Sequence, residues 1–378
     1  MRVVRLDGSR AAADTLRGAL ADALDGGPAF LPLRDDGLLE AMAPDKSVEP
    51  DTAVIIATSG STGEPKGVLL SAAALTASAR ATHERLGGPG HWLLATPPQY
   101  IGGLQVLVRA LLSGTTPTVM TGDGFRADAF AEAASLLTSD GPRYTALVPT
   151  QLVRLLDDGG AGLDAARSFD AIIIGAAATS HVLRERAAEA GVRIVPAYGM
   201  SETASGCVYD GFPLRGVEIA LDDGRIRIAG DVLAHGYRLR PALTAEVFRD
   251  GWFVTSDRGA LGEDGRLEVL GRADDMINTG GVKVSAAAIE RCLCSQPGVR
   301  DACVVGVPDP EWGEAVIALV VPAGETPDSA RLLSAVRDEL GAPSTPKRVE
   351  YAADLPLRGP GKIDRAAVLT RLTSDPRG

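Results

Sequence analysis

The sequence has few of the residues and runs that would indicate a zinc site, a disulfide scaffold or a membrane span. Its 378 residues include four cysteines and four histidines, and neither set shows the spacing of metal ligands. Asp7, Asp14 and Asp22 interrupt the N-terminal apolar stretch, so it does not read as a signal peptide. No other apolar run is long enough to cross a bilayer. We therefore expect a cytoplasmic protein with no membrane insertion, no zinc centre and no Ser/His/Asp triad.

Positive charge is also scarce. The chain has 38 Lys and Arg against 49 Asp and Glu, a formal net charge of −11, which opposes nonspecific binding to nucleic acid or to an anionic membrane. Apolar residues make up 45% of the chain, which together with its length predicts a globular protein of two domains. Any anionic ligand must then be bound by a local cluster of donors.

The pattern of expected elements changes twice along the chain. Between about residues 50 and 200, apolar runs such as "AVIIAT" and "DAIIIG" alternate with Ala/Leu-rich helical stretches, which predicts a doubly wound, mostly parallel sheet. Beyond Gly206, short strands predict an antiparallel β subdomain with a hairpin at "LDDGRIR". We predict an α/β protein with a large N-terminal domain over residues 1–272 and a small, mobile C-terminal α+β domain over 273–378.

The stretch "TSGSTGEPKGV", from Thr58 to Val68, directly follows an apolar run and combines four hydroxyl residues, three glycines and one lysine. Hydroxyls, glycine amides and an ammonium all favour an anion, so we predict a phosphate-binding loop. It is not a Walker A loop, because Lys66 follows Pro65 and precedes Gly67. A solvated hairpin turn would explain a few of these residues, but not the whole run with its embedded lysine.

Four further motifs follow in a fixed order: "YGMSET" at 198–203, "TSDRG" at 255–259, "GRADDMINTGG" at 271–281 and "LRGPGK" ending at Lys362. Together with the loop, they resemble the signature motifs of the adenylate-forming superfamily, which includes acyl-CoA synthetases, nonribosomal peptide adenylation domains and luciferases. The resemblance implies an enzyme that uses ATP and Mg²⁺ to adenylate a carboxylic acid. Such a reaction needs no general base, because a carboxylate is already a nucleophile at neutral pH.

The resemblance also implies roles for single residues. Tyr198 would stack on adenine and Glu202 would bind Mg²⁺, while Thr203 would contact the α-phosphate. Asp257 and Arg272 would contact the ribose. Asp274 would be the hinge, and Lys362 would be the catalytic lysine, carried into the site on the mobile domain. The full set implied for ATP and coenzyme A is Thr58, Ser59, Gly60, Ser61, Thr62, Gly63, Lys66, Tyr198, Gly199, Met200, Ser201, Asp257, Arg272, Gly281 and Lys283.

The stretch after Lys362 is too short for a carrier-protein domain, so we expect coenzyme A as the acyl acceptor. Gly280 and Gly281 resemble the wall of a pantetheine tunnel, and Lys283 matches a basic position that would contact coenzyme A. Stretches such as "THERLGGPGHWLLATPP" and "VVGVPDPEWGEAV" are similar to short-form o-succinylbenzoate:CoA ligases of menaquinone synthesis. That similarity implies an acid–thiol ligase whose products are o-succinylbenzoyl-CoA, AMP and pyrophosphate.

This chain departs from the family in the loop that is expected to bind the acid, so the identity of the acid is left open. Where the family usually has a histidine, this chain has "PQYIGG", with Gln99 and Tyr100. The alternatives are another aryl or keto acid, transfer to a carrier protein or amine, and a nucleotide-sensing protein without turnover. A homo-oligomer is left open. The acid-binding candidates are Tyr100, Thr150, Gln151, Gly175, Ser201 and Gly206.

Overall fold

A computed structural model describes residues 1–58, 64–122, 124–137, 140–273, 275–358 and 362–374. The chain divides into two units. The first comprises Met1–Thr179, Glu185–Ala220 and Arg227–Val254, and the second comprises Ser180–Arg184, Leu221–Ile226 and Thr255–Gly378. The boundary expected between residues 272 and 273 stays a prediction.

The chain opens with a sheet that we did not predict from the sequence. Its order is β1-β2-β3-β4-β14, where β1–β2 and β2–β3 are parallel while β3–β4 and β4–β14 are antiparallel. Ser9 caps the intervening helix, since its Oγ accepts a hydrogen bond of 3.1 Å from the amide of Ala12. The elements are β1 (Arg2–Arg5), α1 (Arg10–Leu24), β2 (Phe30–Leu33), β3 (Val54–Thr58), β4 (Lys66–Leu70) and β14 (Gly236–Tyr237).

A seven-stranded sheet of order β11-β10-β9-β8-β7-β5-β6 follows. Strands β5 to β9 are parallel, and β8 is buried along its whole length, as expected of parallel strands covered on both faces. The doubly wound, mostly parallel sheet is therefore confirmed. Its strands are β5 (His91–Leu94), β6 (Thr118–Val119), β7 (Arg143–Leu147), β8 (Ala171–Ile174), β9 (Ile194–Met200), β10 (Ser205–Tyr209) and β11 (Phe212–Pro213).

One part of the sheet prediction was wrong. The run "AVIIAT" forms β3, which belongs to the first sheet and pairs antiparallel with β4, with Thr58 opposite Lys66. The phosphate-loop motif therefore closes a β-hairpin, because the chain after the loop returns as "KGVLL", a run that is itself apolar enough to form a strand. The helices that alternate with these strands along the chain are α2 (Ala72–Leu86), α3 (Ile101–Leu112), α4 (Ala127–Ser135), α5 (Pro149–Asp158), α6 (Ala161–Arg167) and α7 (His181–Glu189).

A third sheet has the order β12-β13-β16-β15, with β17 paired to β16. The predicted hairpin is present between β12 and β13, where Asp223 and Gly224 have φ values of 48° and 73°. Two left-handed residues in a two-residue loop match the right-handed twist of the strands. The elements of this region are β12 (Val217–Asp222), β13 (Arg225–Gly230), α8 (Pro241–Val247), β15 (Phe248–Arg249), β16 (Trp252–Leu261) and β17 (Leu267–Arg272).

The C-terminal elements of the second unit form the predicted α+β arrangement. Alternate residues of its strands face two cores, because side chains alternate across a sheet. Val304 belongs to the core that includes Ile289 and Leu332, while Cys303 belongs to the core that includes Val368. The elements are β18 (Met276–Thr279), β19 (Val282–Ser285), α9 (Ala286–Cys294), β20 (Val299–Asp309), β21 (Gly313–Pro322), α10 (Ser329–Leu340), β22 (Arg348–Tyr351), β23 (Leu357–Arg358), β24 (Lys362–Ile363) and α11 (Arg365–Ser374).

Among the described residues, no helix is long and apolar enough to cross a membrane.

Candidate functional site

The β3–β4 hairpin holds the two ends of the predicted phosphate loop. Thr58 lies opposite Lys66, and its hydroxyl donates to the carbonyl of Lys66 over 3.3 Å. Five predicted loop residues lie outside the described residues, so their phosphate contacts stay predictions: Ser59, Gly60, Ser61, Thr62 and Gly63. The hairpin nevertheless fixes where the loop begins and ends.

A line of contacts connects this hairpin to the second motif. The ammonium of Lys66 lies 5.4 Å from the centre of the Tyr237 ring, and the hydroxyl of Tyr237 donates to Oε1 of Glu202 over 2.8 Å. Tyr237 lies opposite Val68 in the β4–β14 pair and is only 5% exposed. Its burial raises the pKa of the phenol, and the Glu202 carboxylate raises it further. The phenol therefore stays protonated and serves as a donor to Glu202.

The motif that contains Glu202 forms a tight turn after β9. Residues Ser201–Thr203 form a 3-10 helix, and Thr203 is fully buried. Its hydroxyl oxygen lies 2.9 Å from the amide of Met200, from which it accepts, and 2.7 Å from the carbonyl of Ser205. The structure thus gives Thr203 a role in holding the turn, and its contact with an α-phosphate stays a prediction.

Two glycines of this region are required by close packing. A Cβ on Gly199 would lie 2.2 Å from the carbonyl oxygen of Ser205, and one on Gly206 would lie 2.8 Å from the ring of Tyr209. Tyr198 pairs with Val208 across β9 and β10. The absence of side chains at 199 and 206 therefore lets the two strands approach each other at the motif.

The donor set fits a magnesium ion that is bound mainly by nucleotide oxygens. Among the described residues, no group of three His, Cys, Asp or Glu side chains could hold a metal. Glu202 uses Oε1 to accept from Tyr237, and a carboxylate has a second oxygen for a cation. One protein carboxylate with phosphate and water oxygens is an ordinary Mg²⁺ environment.

The predicted acid-binding residues lie along the carboxyl ends of the parallel strands. Gly175 follows β8, Thr150 and Gln151 begin α5 after β7, and Tyr100 precedes α3 after β5. Gln151 bonds to the main chain at both ends of its side-chain amide, because Nε2 donates to the carbonyl of Ala95 over 3.0 Å and Oε1 accepts from the amide of Val148 over 2.9 Å. Burial and the nearby Asp35 raise the pKa of Tyr100, so this phenol is neutral at physiological pH.

In the second unit, the two residues predicted to contact ribose face each other. Asp257 and Arg272 are opposite partners in the β16–β17 pair, and the amide of Asp257 donates to the hydroxyl of Thr255 over 3.0 Å. The structure thus brings together two residues that are fifteen positions apart in the chain. Their contact with a ribose stays a prediction.

The remaining predicted residues of the second unit lie on two hairpins. Gly280 and Gly281 form the two-residue turn between β18 and β19, with φ values of 58° and 78°, so the turn itself favours glycine at both positions. Lys283 is exposed beside this turn, and Lys362 is exposed in β24 opposite Arg358. Asp274, the predicted hinge, lies outside the described residues.

Sequence reasoning missed Tyr237. It belongs to a two-residue strand, too short to produce a hydrophobic pattern, and its importance comes from contacts with Lys66 and Glu202 far away in the chain. The preceding Gly236 is a weak local signal, because a Cβ there would lie 2.6 Å from the side chain of Thr244.

Comparison with known proteins agrees with the motifs. The family model of the AMP-binding enzyme matches residues 7–237, and that of the AMP-binding enzyme C-terminal domain matches residues 288–362. The chain is 44% identical over 351 residues to a protein of Mycobacterium tuberculosis named probable 2-succinylbenzoate–CoA ligase, and the match covers 91% of each chain.

Two solved structures show the same fold. ATP-bound MatB from Rhodopseudomonas palustris superimposes with a TM-score of 0.81 and 25% identity, covering 99% of this chain and 89% of MatB. The o-succinylbenzoate CoA synthetase MenE from Bacillus subtilis, in complex with the acyl-adenylate intermediate OSB-AMP, gives a TM-score of 0.74 and 25% identity, covering 96% and 81%. The chain belongs to the AMP-binding enzyme family.

Proposed function

We propose that this chain is an AMP-forming acid–thiol ligase that adenylates 2-succinylbenzoate and transfers the acyl group to coenzyme A. The observation that carries the proposal is the line of contacts from Lys66 through Tyr237 to Glu202. A cation and a carboxylate from two separate family motifs thus contact the same tyrosine, which supports the binding of a metal-bound triphosphate between them.

In the first half-reaction, a carboxylate oxygen of the acid attacks the α-phosphorus of ATP. The bond from that phosphorus to the bridging oxygen of pyrophosphate breaks, and an acyl-adenylate forms. Lys66 would bind the β- and γ-phosphate oxygens and stabilise the leaving pyrophosphate. Tyr237 would hold Glu202 in place through its hydrogen bond, and Mg²⁺, when bound at Glu202, would neutralise phosphate charge.

The same half-reaction builds negative charge on the oxygens around the α-phosphorus. Lys362 would stabilise this charge, which is the role that its motif implies. Its place in a short hairpin, opposite Arg358, supports this role, because a hairpin can extend an ammonium beyond the body of a domain. A desolvated ammonium at a developing oxyanion contributes several kcal/mol.

In the second half-reaction, the thiol sulfur of coenzyme A attacks the acyl carbonyl, its proton is lost, and AMP leaves. Asp257 and Arg272 would hold the ribose of the adenylate. Gly281 and Lys283 would border the path of the pantetheine arm.

The 44% identity to a protein named for 2-succinylbenzoate supports that acid over other aryl acids. The cysteines are all free thiols, which fits a cytoplasmic location.

The test is a coupled assay of both half-reactions. The protein with ATP, Mg²⁺ and 2-succinylbenzoate should release pyrophosphate, and addition of coenzyme A should yield one thioester per AMP. The panel should include ferulate, malonate and an alkanoic acid of medium length, each with coenzyme A and, separately, with a primary amine. Pyrophosphate release without a thioester would contradict the proposed acceptor, and no release with any acid would contradict the proposed enzyme.

A further inference from the structure

The strand that contains Lys362 leads directly into the last helix of the second unit. Strand β24 ends one residue before Asp364, and α11 begins directly after it. Asp364 caps this helix, since its Oδ1 accepts from the amide of Ala367 over 3.1 Å. Its own amide donates to the carbonyl of Pro356 over 2.8 Å. Because no loop separates strand from helix, the first turn of α11 determines where Lys362 lies.

The hairpin formed by β23 and β24 is too small to hold itself in place. Each strand has two residues, and in the described part of the chain the two strands pair only with each other. An isolated two-stranded hairpin is marginally stable at best in water. Leu357 in β23 is 46% exposed, whereas Ile363 in β24 packs against the core that includes Val368. The position of the hairpin therefore depends on β24 and on the helix that follows it.

Arg365, the first residue of α11, contacts three other segments. Its Nη1 and Nη2 donate to Oε1 and Oε2 of Glu290 in α9 over 2.6 and 2.8 Å. Nη1 also donates to the carbonyl of Val304 in β20 over 2.9 Å. Its Nε lies 3.2 Å from Oδ2 of Asp275, the residue that precedes β18. Because a guanidinium holds its N–H groups in one rigid plane, these contacts fix the start of α11 relative to α9, β18 and β20.

Asp275 directly follows Asp274, the hinge that the family motif implies. Its amide donates to the carbonyl of Arg272 over 3.3 Å. Its side chain and that of Arg365 are 26% and 29% exposed, so solvent screens this pair less than it screens an exposed surface pair. One ion pair thus joins the segment next to the implied hinge to the helical turn next to Lys362.

The chemistry of this cluster favours a role in positioning over a role in stability. A buried ion pair adds little net stability, because the cost of desolvating both charges offsets their attraction. Its directional contacts nevertheless define one geometry. Reaction rates depend strongly on such geometry, since a displacement of about 1 Å at a reacting centre can lower the rate about 100-fold. A planar cation held by two carboxylates beside Lys362 therefore fits a device that fixes the lysine.

We propose that Arg365 and Asp275 are positioning residues for Lys362, and that they hold its hairpin where the ammonium can stabilise the charge that develops during adenylation. Neither residue is assigned a contact with substrate, and both act through Lys362. This inference rests on the proposed function and adds two residues on which the first half-reaction depends. The second half-reaction is not assigned to Lys362, so it should not depend on either residue.

Asp275→Asn tests the proposal, because it removes one charge and leaves the Arg365–Glu290 contacts in place. We expect kcat for pyrophosphate release with 2-succinylbenzoate to fall about 5- to 30-fold. The KM values for ATP and the acid, and thioester formation from supplied acyl-adenylate, should stay close to wild type. Asp275→Glu keeps the carboxylate and should retain most of the rate. Glu350→Gln is the matched control and should change neither half-reaction, because Glu350 is 24% exposed and pairs with Arg348 at 3.0 Å in the same unit.

A double variant separates positioning from folding. Arg365→Met combined with Glu290→Met removes both charges of the inner pair and should keep most of the wild-type stability. It should still release pyrophosphate about tenfold more slowly than wild type. Wild-type pyrophosphate release in the double variant, or equal slowing of both half-reactions by Asp275→Asn, would overturn this inference and leave the proposed function intact.

Hydrogen exchange provides a measurement that does not depend on activity. In Asp275→Asn, the peptide that contains Asp364 should exchange its amide hydrogens about tenfold faster than in wild type, whereas Glu350→Gln should match wild type. If the wild-type protein releases no pyrophosphate with any acid, the proposed function is contradicted and this measurement decides the inference. Faster exchange confined to Asp275→Asn supports the anchoring of the hairpin, and equal exchange in all three proteins refutes it.

Discussion

Replacing Tyr237 by phenylalanine would remove the hydroxyl that contacts Glu202 and leave the ring in place. The ring is needed for a second contact, because the Lys66 ammonium lies 5.4 Å from its centre and Phe248 packs against it with ring centres 5.8 Å apart. Tyr237→Phe therefore isolates the hydrogen bond. Tyr237→Leu, as a companion variant, removes the hydrogen bond and the ring together.

The magnitude follows from the geometry of this hydrogen bond. It is 2.8 Å long, its acceptor is a carboxylate, and its donor side chain is 5% exposed. Hydrogen bonds to charged groups contribute about 1.5–3 kcal/mol. If this energy serves to hold Glu202 for the metal-bound nucleotide, its loss corresponds to roughly a 10- to 150-fold decrease in kcat/KM for ATP.

The assay is pyrophosphate release with saturating acid, measured over a range of ATP and Mg²⁺ concentrations. Tyr237→Phe should raise the Mg²⁺ concentration needed for half-maximal rate, whereas the KM for the acid should stay close to that of the wild type. Tyr237→Leu should lower kcat/KM for ATP further, because the Lys66 ammonium loses the ring face as well.

The reasoning would be refuted if Tyr237→Phe kept wild-type kcat/KM for ATP at every Mg²⁺ concentration. It would also be refuted if the variant altered the KM for the acid and for ATP equally, since that outcome indicates general disorder of the site. Circular dichroism and the unfolding midpoint of each variant would show whether the fold is retained.

Three further predictions concern other parts of the molecule. Lys362→Ala should abolish pyrophosphate release while thioester formation from supplied acyl-adenylate is largely retained; equal loss of both half-reactions would contradict a role confined to adenylation. Burial, and then the charge of Arg109, lower the pKa of His83 to about 4, so between pH 6.5 and 4 the unfolded chain binds a proton that the folded chain does not. The free energy of unfolding should therefore decrease by about 3 kcal/mol as the pH is lowered from 6.5 to 4. His83→Gln, measured by urea titration, should lack this part of the pH dependence. The same pH dependence in both proteins would contradict the prediction. Arg365 binds both oxygens of Glu290 at 2.6 and 2.8 Å, so Arg365→Met should cost about 2–4 kcal/mol of stability and Glu290→Met in the same chain should recover most of it; a double variant as unstable as the sum of the single ones would contradict this.

The elements that were predicted well have strong local patterns. Strands β5, β7 and β8 are short apolar runs, and they form a covered parallel sheet as such runs do. The hairpin across Asp222 to Gly224 was predicted from its turn residues, and the structure shows positive φ at Asp223 and Gly224. The N-terminal β1–α1–β2 segment was missed, since "RVVR" and "FLPL" are too short and irregular to produce a clear period.

Sequence reasoning could predict site residues only where they lie together in one contiguous motif. Glu202 and Thr203 were predicted as site residues because they lie in one short motif, and their roles stay predictions. The structure adds that Thr203 holds the turn through hydrogen bonds that the motif does not reveal. Asp275 and Arg365 come into contact although no motif includes both. No spacing rule could have paired them.

The sequence by itself determined the family, the parallel sheet of the central region and the residue types proposed to bind ATP, because these depend on local patterns and on short motifs that can be recognised without knowledge of contacts. Only the tertiary structure decided that β3 and β4 form a hairpin in a separate sheet, that Tyr237 connects Lys66 to Glu202, and that Arg365 connects Asp275 to Glu290. The physical reason is that strand pairing, burial and hydrogen bonds depend on which distant segments are in contact. These contacts cannot be predicted from any short stretch of the sequence.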